Sequence, residues 1–149
     1  MAQTVVLHKI MHVREQEKKA AQKEQLKATE HFEEVATNLY KTLKTKEEAE
    51  HSLQTYMQTE ATITRIKEQS LYIRTLNEKI ATLQKHVQNA RRQMEVKQAK
   101  LTEAHVEVKK IEKMIEKRKQ EQFERARKLE TIELDEISIR QYSAHVQNR

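Results

Sequence analysis

The hydrophobic positions of this chain fall into a register that is clearest between Ile73 and Ile115. Ile73, Ile80, Val87, Met94, Leu101, Val108 and Ile115 are spaced seven apart, and three residues after each of the first six come Leu76, Leu83, Ala90, Lys97, Ala104 and Ile111. An a/d seam sustained this long specifies a coiled coil, because a repeat averaging about 3.5 residues keeps one stripe facing a partner helix. Only Lys97 interrupts it.

Upstream the pattern is helical but less regular. Leu7, Ile10, Met11 and Val13 crowd one side, Ala20, Ala21 and Ala28 carry a thin seam of small residues, and then Phe32, Val35, Leu39, Thr42, Lys46, Ala49, Leu53 and Tyr56 alternate by three and four. Tyr40 and Leu43 are expected to widen this stripe on one flank. Small residues let two helices approach closely, and Phe32 then calls for a small residue opposite. Thr55, Thr59, Thr62 and Thr64 cluster where the register is lost. Threonine is a poor helix former that competes for backbone hydrogen bonds, so the cluster marks a turn. The expected elements are a helix over about 5–56, a turn over about 57–65 and a helix over about 66–140 with a fraying tail. A continuous helix through the threonines is the alternative.

A turn near residue 60 pairs residues whose numbers sum to roughly 120, which exhausts the first helix near position 115 of the second. At a rise of about 1.5 Å per residue, the remainder projects some ~30–50 Å further. The expected fold is therefore all-α: an antiparallel two-helix coiled-coil hairpin with a longer, overhanging second helix, residues 1–149 forming one elongated unit. Its expected core is Phe32, Val35, Leu39 and Leu53 against Ile73, Leu76, Ile80, Leu83, Val87, Met94, Leu101, Val108, Ile111 and Ile115. Beyond Ile115 the same register reads Arg118, Gln122 and Arg125, and only then Leu129, Ile132, Glu136 and Ile139. The seam turns polar where its intramolecular partner ends. It regains apolar residues farther on, which asks for a partner at the C-terminal end.

Composition changes this picture mainly by exclusion. The sequence contains no Gly, Pro, Cys or Trp, and 35% of it is charged. Tight turns and phosphate-cradling loops depend on glycine and proline, whereas long helices need neither. So polar a chain would also suit disorder, and the sustained periodicity argues against that. No cysteine nucleophile, Gly-rich loop, G-x-S-x-G or H-E-x-x-H motif is present, so neither an enzyme nor a cofactor is expected. His8 and His12 share a helix face at metal-ligand spacing but lack a third ligand nearby, and a solvated face is the preferred reading.

The net charge of +6 comes from interspersed acidic and basic residues. The most basic run, from Lys109 to Lys119, is interrupted by Glu112 and Glu116 and has no interleaved aromatics for base stacking, so no nucleic-acid partner is expected. No apolar run approaches the ~20 residues of a membrane span. The first residues lack a secretory pattern and cysteine is absent, so a cytoplasmic protein is expected. Tyr72, flanked by Leu71 and Ile73, places apolar groups on more than one side of the helix. It belongs either to a wide core stripe or to an exposed patch.

Three segments carry a family resemblance: the opening Leu7-x-x-Ile10-Met11-x-x-Arg14-x-x-Glu17 with Ala20-Ala21, the segment Tyr72-Ile73-Arg74-Thr75-Leu76, and the closing Leu134-Asp135-Glu136-Ile137-Ser138-Ile139-Arg140-Gln141-Tyr142. With the length and the helix offset, they make the chain resemble FliJ, the small coiled-coil component of the bacterial flagellar type III export apparatus, in its Bacillus-type form. The resemblance implies a non-catalytic stalk similar to the paired helices of a rotary ATPase γ subunit. Implied partners are the export ATPase hexamer, the large membrane subunit of the export gate and export chaperones. The implied location is peripheral, at the cytoplasmic face of the cell membrane at the flagellar base. Gate contact would fall to Tyr72 and Leu76 with Leu39 and Tyr40, and ATPase-ring contact to Arg118, Arg125, Leu129 and Ile132. A coiled-coil scaffold or dimerisation protein, and an injectisome stalk relative, stand as the alternatives.

Overall fold

The computed structural model describes residues 2–148. Helix α1 spans Ala2–Gln58 and helix α2 spans Ile63–Gln147, with no strand among the described residues. The two helices pack as an all-α hairpin. Contacts group them into two units, Lys18–Glu103, and Met1–Glu17 with Ala104–Arg149.

The unit Lys18–Glu103 contains the turn, which is shorter than the sequence suggests. Thr55 and Thr59 return their hydroxyls to the carbonyls of His51 and Thr55, at 3.1 and 3.0 Å, so the helix runs through Thr55 to its end at Gln58 rather than breaking earlier. The Thr62 hydroxyl then accepts the amide of Arg65 at 3.3 Å, capping α2 so that it starts at Ile63. The reversal uses no positive-φ residue among those described, which suits a chain without glycine.

On α1 of this unit, Phe32, Val35, Leu39, Thr42, Lys46, Ala49, Leu53 and Tyr56 are buried or half-buried, and the same three-four alternation runs back through Ala28, Gln25, Ala21 and Lys18. On α2, Ile66, Gln69, Ile73, Leu76, Ile80, Leu83, Val87, Ala90, Met94, Lys97 and Leu101 are covered to the same degree. Gln69 Nε2 donates to the Ala49 carbonyl at 3.1 Å, the Lys97 ammonium lies 3.9 Å from the Glu24 carboxylate, and the Arg91 guanidinium sits 5.8 Å from the Phe32 ring centre. These contacts fix an antiparallel register that sets Phe32 against Ala90, Ala28 against Met94 and Ala49 against Ile73. In each of these three pairs a large residue meets a small one. Ala90 is accordingly the most buried apolar residue of the core, at 2% exposure.

In the unit of Met1–Glu17 and Ala104–Arg149, Leu7, Ile111 and Ile115 form a buried cluster with Ile10 and Met11 against it, and Val108 is buried nearby. The α1 seam ends in polar contacts: Arg118 donates to the Gln3 side chain, and Gln122 donates to the Thr4 hydroxyl at 3.4 Å. Helix α2 runs on to Gln147, past the expected end near 140, and every residue from Lys119 to Asn148 is exposed.

One expected core feature is corrected. Tyr40 and Leu43 do not widen the stripe; Tyr40 stands one position past the seam residue Leu39 and is 67% exposed, and Leu43 is exposed as well. Thr42 replaces an apolar residue in the seam at little cost, because its hydroxyl bonds the Asn38 carbonyl at 2.9 Å. Truncating a seam residue and a flank residue should separate clearly. Ile80→Ala is expected to destabilise the hairpin by about 2–3 kcal/mol, and Tyr40→Ala by less than about 0.5 kcal/mol, in urea unfolding followed by helical circular dichroism.

Candidate interaction surfaces

The first surface lies in the unit that holds the turn. The seam register decides which of its apolar residues a partner can reach. Leu39 and Leu76 both occupy seam positions, and Leu76 is only 8% exposed. Their side chains are engaged in holding α1 to α2. Tyr72 sits one position before Ile73, on the flank of the seam, and is half-exposed. Leu71, Tyr40, Leu43, Met57 and Ile63 are exposed as well. Met57 and Ile63 flank the turn, and sequence reasoning treated them only as part of a break in register. The cue to their exposure was their offset from the seam spacing. Beside them, the Arg65 guanidinium covers the Tyr56 ring at 4.8 Å, a cation–π contact that closes the end of the seam.

The second surface is the stretch of α2 beyond the start of α1. Arg118 stands at its threshold, half-buried and bound to Gln3, so its guanidinium is partly committed to the hairpin. Arg125, Leu129 and Ile132 lie beyond it, all exposed. Ile139 and Val146 continue the same a/d spacing. Phe123, Leu134 and Ile137 share a different side of the helix and are also exposed. This segment has an apolar stripe in the coiled-coil register, and its described residues from Lys119 on are all exposed.

The remaining candidate chemistry stays on solvated faces. Within the basic run, Lys109 pairs with Glu112 at 3.0 Å and Lys110 with Glu107 at 3.2 Å, the spacing of ordinary surface pairs one turn apart. Among the described residues no three His, Cys, Asp or Glu side chains gather as metal ligands, and His8 and His12 are both exposed. No described helix is long and apolar enough to cross a membrane.

Comparison with known proteins covers both units. The sequence model of the family described as Flagellar FliJ protein matches residues 3–147. A Flagellar FliJ protein of Bacillus subtilis (strain 168) is 32% identical over 142 residues, covering 95% of this chain and 97% of that relative. No solved structure matches.

Because every described residue of α2 beyond Gln122 is exposed, removing that stretch should leave the hairpin intact. A chain ended after Gln122 is expected to unfold within about 0.5 kcal/mol of the full-length protein. A loss of several kcal/mol in urea unfolding would show that the segment is part of the core.

Proposed function

The chain belongs to the flagellar FliJ protein family of flagellar export components, and from that premise we propose that it acts as a stalk of the type III protein export apparatus. The stalk does no covalent chemistry of its own. Its overhanging helix docks in the ring of the export ATPase, and its turn end meets the large membrane subunit of the export gate. Assistance to export chaperones belongs to the same reading. The gate contact would hold the protein at the cytoplasmic face of the membrane at the flagellar base.

The observation that carries this reading is the exposed end of α2. An α-helix in the coiled-coil register with Leu129 and Ile132 in its stripe, and Arg125 a turn before them, offers an apolar anchor and a cation together. Interface anchors are typically of this mixed kind, with Arg engaging carboxylates or carbonyls around a desolvated centre. On the gate side the reachable anchors are Tyr72 and Tyr40. Tyrosine brings a large rigid face and a polar tip for little lost side-chain freedom, which favours it at interfaces.

Coupling in this scheme is a difference in affinity. A stalk that binds one state of the ring more tightly than another shifts the ring toward that state, and it shifts nothing if it binds both equally. Added full-length protein is expected to raise the export ATPase rate, and a chain ended after Ile115 is expected to leave it unchanged. Equal rates with and without the full-length protein would remove the stalk reading. At the other end, Tyr72→Ala is expected to weaken capture of the gate subunit's soluble portion by about tenfold or more. Retained capture would move the gate contact elsewhere.

A further inference from the structure

The exposed end of α2 continues the register that α1 covers upstream, and the order of its charges selects one kind of helix to cover it. Extending the seam from Arg118 places Gln122, Arg125, Leu129, Ile132, Glu136 and Ile139 along one stripe. A parallel pairing of two such stripes would set Arg125 against Arg125 and Glu136 against Glu136, both like-charged. An antiparallel pairing centred between Glu130 and Thr131 sets them differently. Leu129 then meets Ile132 of the second copy, Arg125 meets its Glu136, and Gln122 meets its Ile139, with each contact repeated by symmetry. On the flank, Lys128 falls beside Asp135 of the second copy.

We propose that residues 122–139 of α2 form an antiparallel two-helix coil with the same segment of a second copy of this chain. Four observations support that occupant over an unrelated helix. The stripe is continuous with the seam that already packs against α1, so it has the spacing a helix partner requires. Its charged seam residues are of opposite sign at the two positions that an antiparallel twofold exchanges, and the Lys128–Asp135 flank is complementary in the same register. The contact is isologous, so it closes at two copies. The overlap is also bounded: α1 occupies the seam upstream of Gln122, where Gln122 already bonds Thr4, so pairing stops at the Gln122–Ile139 layer. The one like-charge juxtaposition, Lys119 with Arg140 of the second copy, falls just outside that layer.

Two apolar layers flanked by ion pairs make a short, partly polar interface. Such an interface is weak and reversible, with a dissociation constant on the order of tens of micromolar. It also covers Arg125, Leu129 and Ile132, the residues proposed above for ring docking. The dimer and the docked state therefore exclude one another, and a chain not docked on the ATPase keeps its apolar end covered.

Sedimentation equilibrium of the full-length protein alone tests this without any ATPase, so its outcome is separate from that of the stalk reading. The apparent mass is expected to rise from 17.8 kDa toward twice that value with concentration. Arg125→Glu and Glu136→Arg should each weaken association by about tenfold or more, and the double variant should restore it to within about threefold. All these positions are exposed, and circular dichroism should show unchanged helicity in each variant. A cysteine-free chain allows a second check: a mixture of the Leu129→Cys and Ile132→Cys variants should oxidise to a crosslinked dimer faster than either alone. A constant monomer mass up to several hundred micromolar, or a double variant that fails to recover, overturns the proposal.

Discussion

The structure depends on a single constraint: two helices must bury one narrow stripe of side chains against each other, and among the described residues no second layer shares the work. The seam holds because each position recurs at the coiled-coil spacing and because bulky residues meet small ones at several of its layers. Phe32 opposite Ala90 and Ile73 opposite Ala49 bring the helices close, and the aliphatic cluster of Leu7, Ile111 and Ile115 closes the unit that contains the α1 start. Everything proposed for function lies where this stripe ends. At the turn, residues offset from the seam spacing become exposed anchors. Beyond Gln122, the same spacing continues on residues that are all exposed among those described.

The polar residues of the seam weaken packing and sharpen register. Lys97 reaches the Glu24 carboxylate in the observed alignment. A slip of one heptad would carry it toward Lys18 in one direction or toward the Phe32 ring in the other. The same slips would set Phe32 against Leu83 or Lys97 in place of Ala90. Gln69 fixes the alignment near the turn through the Ala49 carbonyl, at the point where the short Thr62-capped reversal already limits sliding. Arg14 is the least satisfied of these polar residues: its terminal nitrogen bonds Glu17 at 3.0 Å, while its buried Nε has no partner among the described residues. A coiled coil with a few polar seam positions trades stability for a single alignment.

Fold class was legible in the sequence because coiled coils write their contacts as a period. Seven-residue spacing from Ile73 to Ile115 identified the seam, and the turn near residue 60 with the counting of residues gave the antiparallel pairing and located the end of α1 against α2. The turn was harder to place. Threonine hydroxyls can break a helix or bond back into one, and at Thr55 and Thr59 they do the second. The surface residues were only partly legible. Tyr72 and Tyr40 are exposed, while Leu39 and Leu76 are held in the seam, because a leucine at an a or d position packs inward whatever else the segment does. The full exposure of the α2 end followed from length alone. What covers it depends on the order of its charges, which periodicity does not read.

Hydrogen–deuterium exchange along the free protein at low micromolar concentration tests the account most directly. Amide protection in a helix hairpin follows the packed seam, since helix segments without tertiary contacts open readily. Slow exchange is predicted for both helices between Leu7 and Ile115, falling steeply past Lys119. Protection past Lys119 equal to that of the seam would contradict it, as would fast exchange in α1 alone.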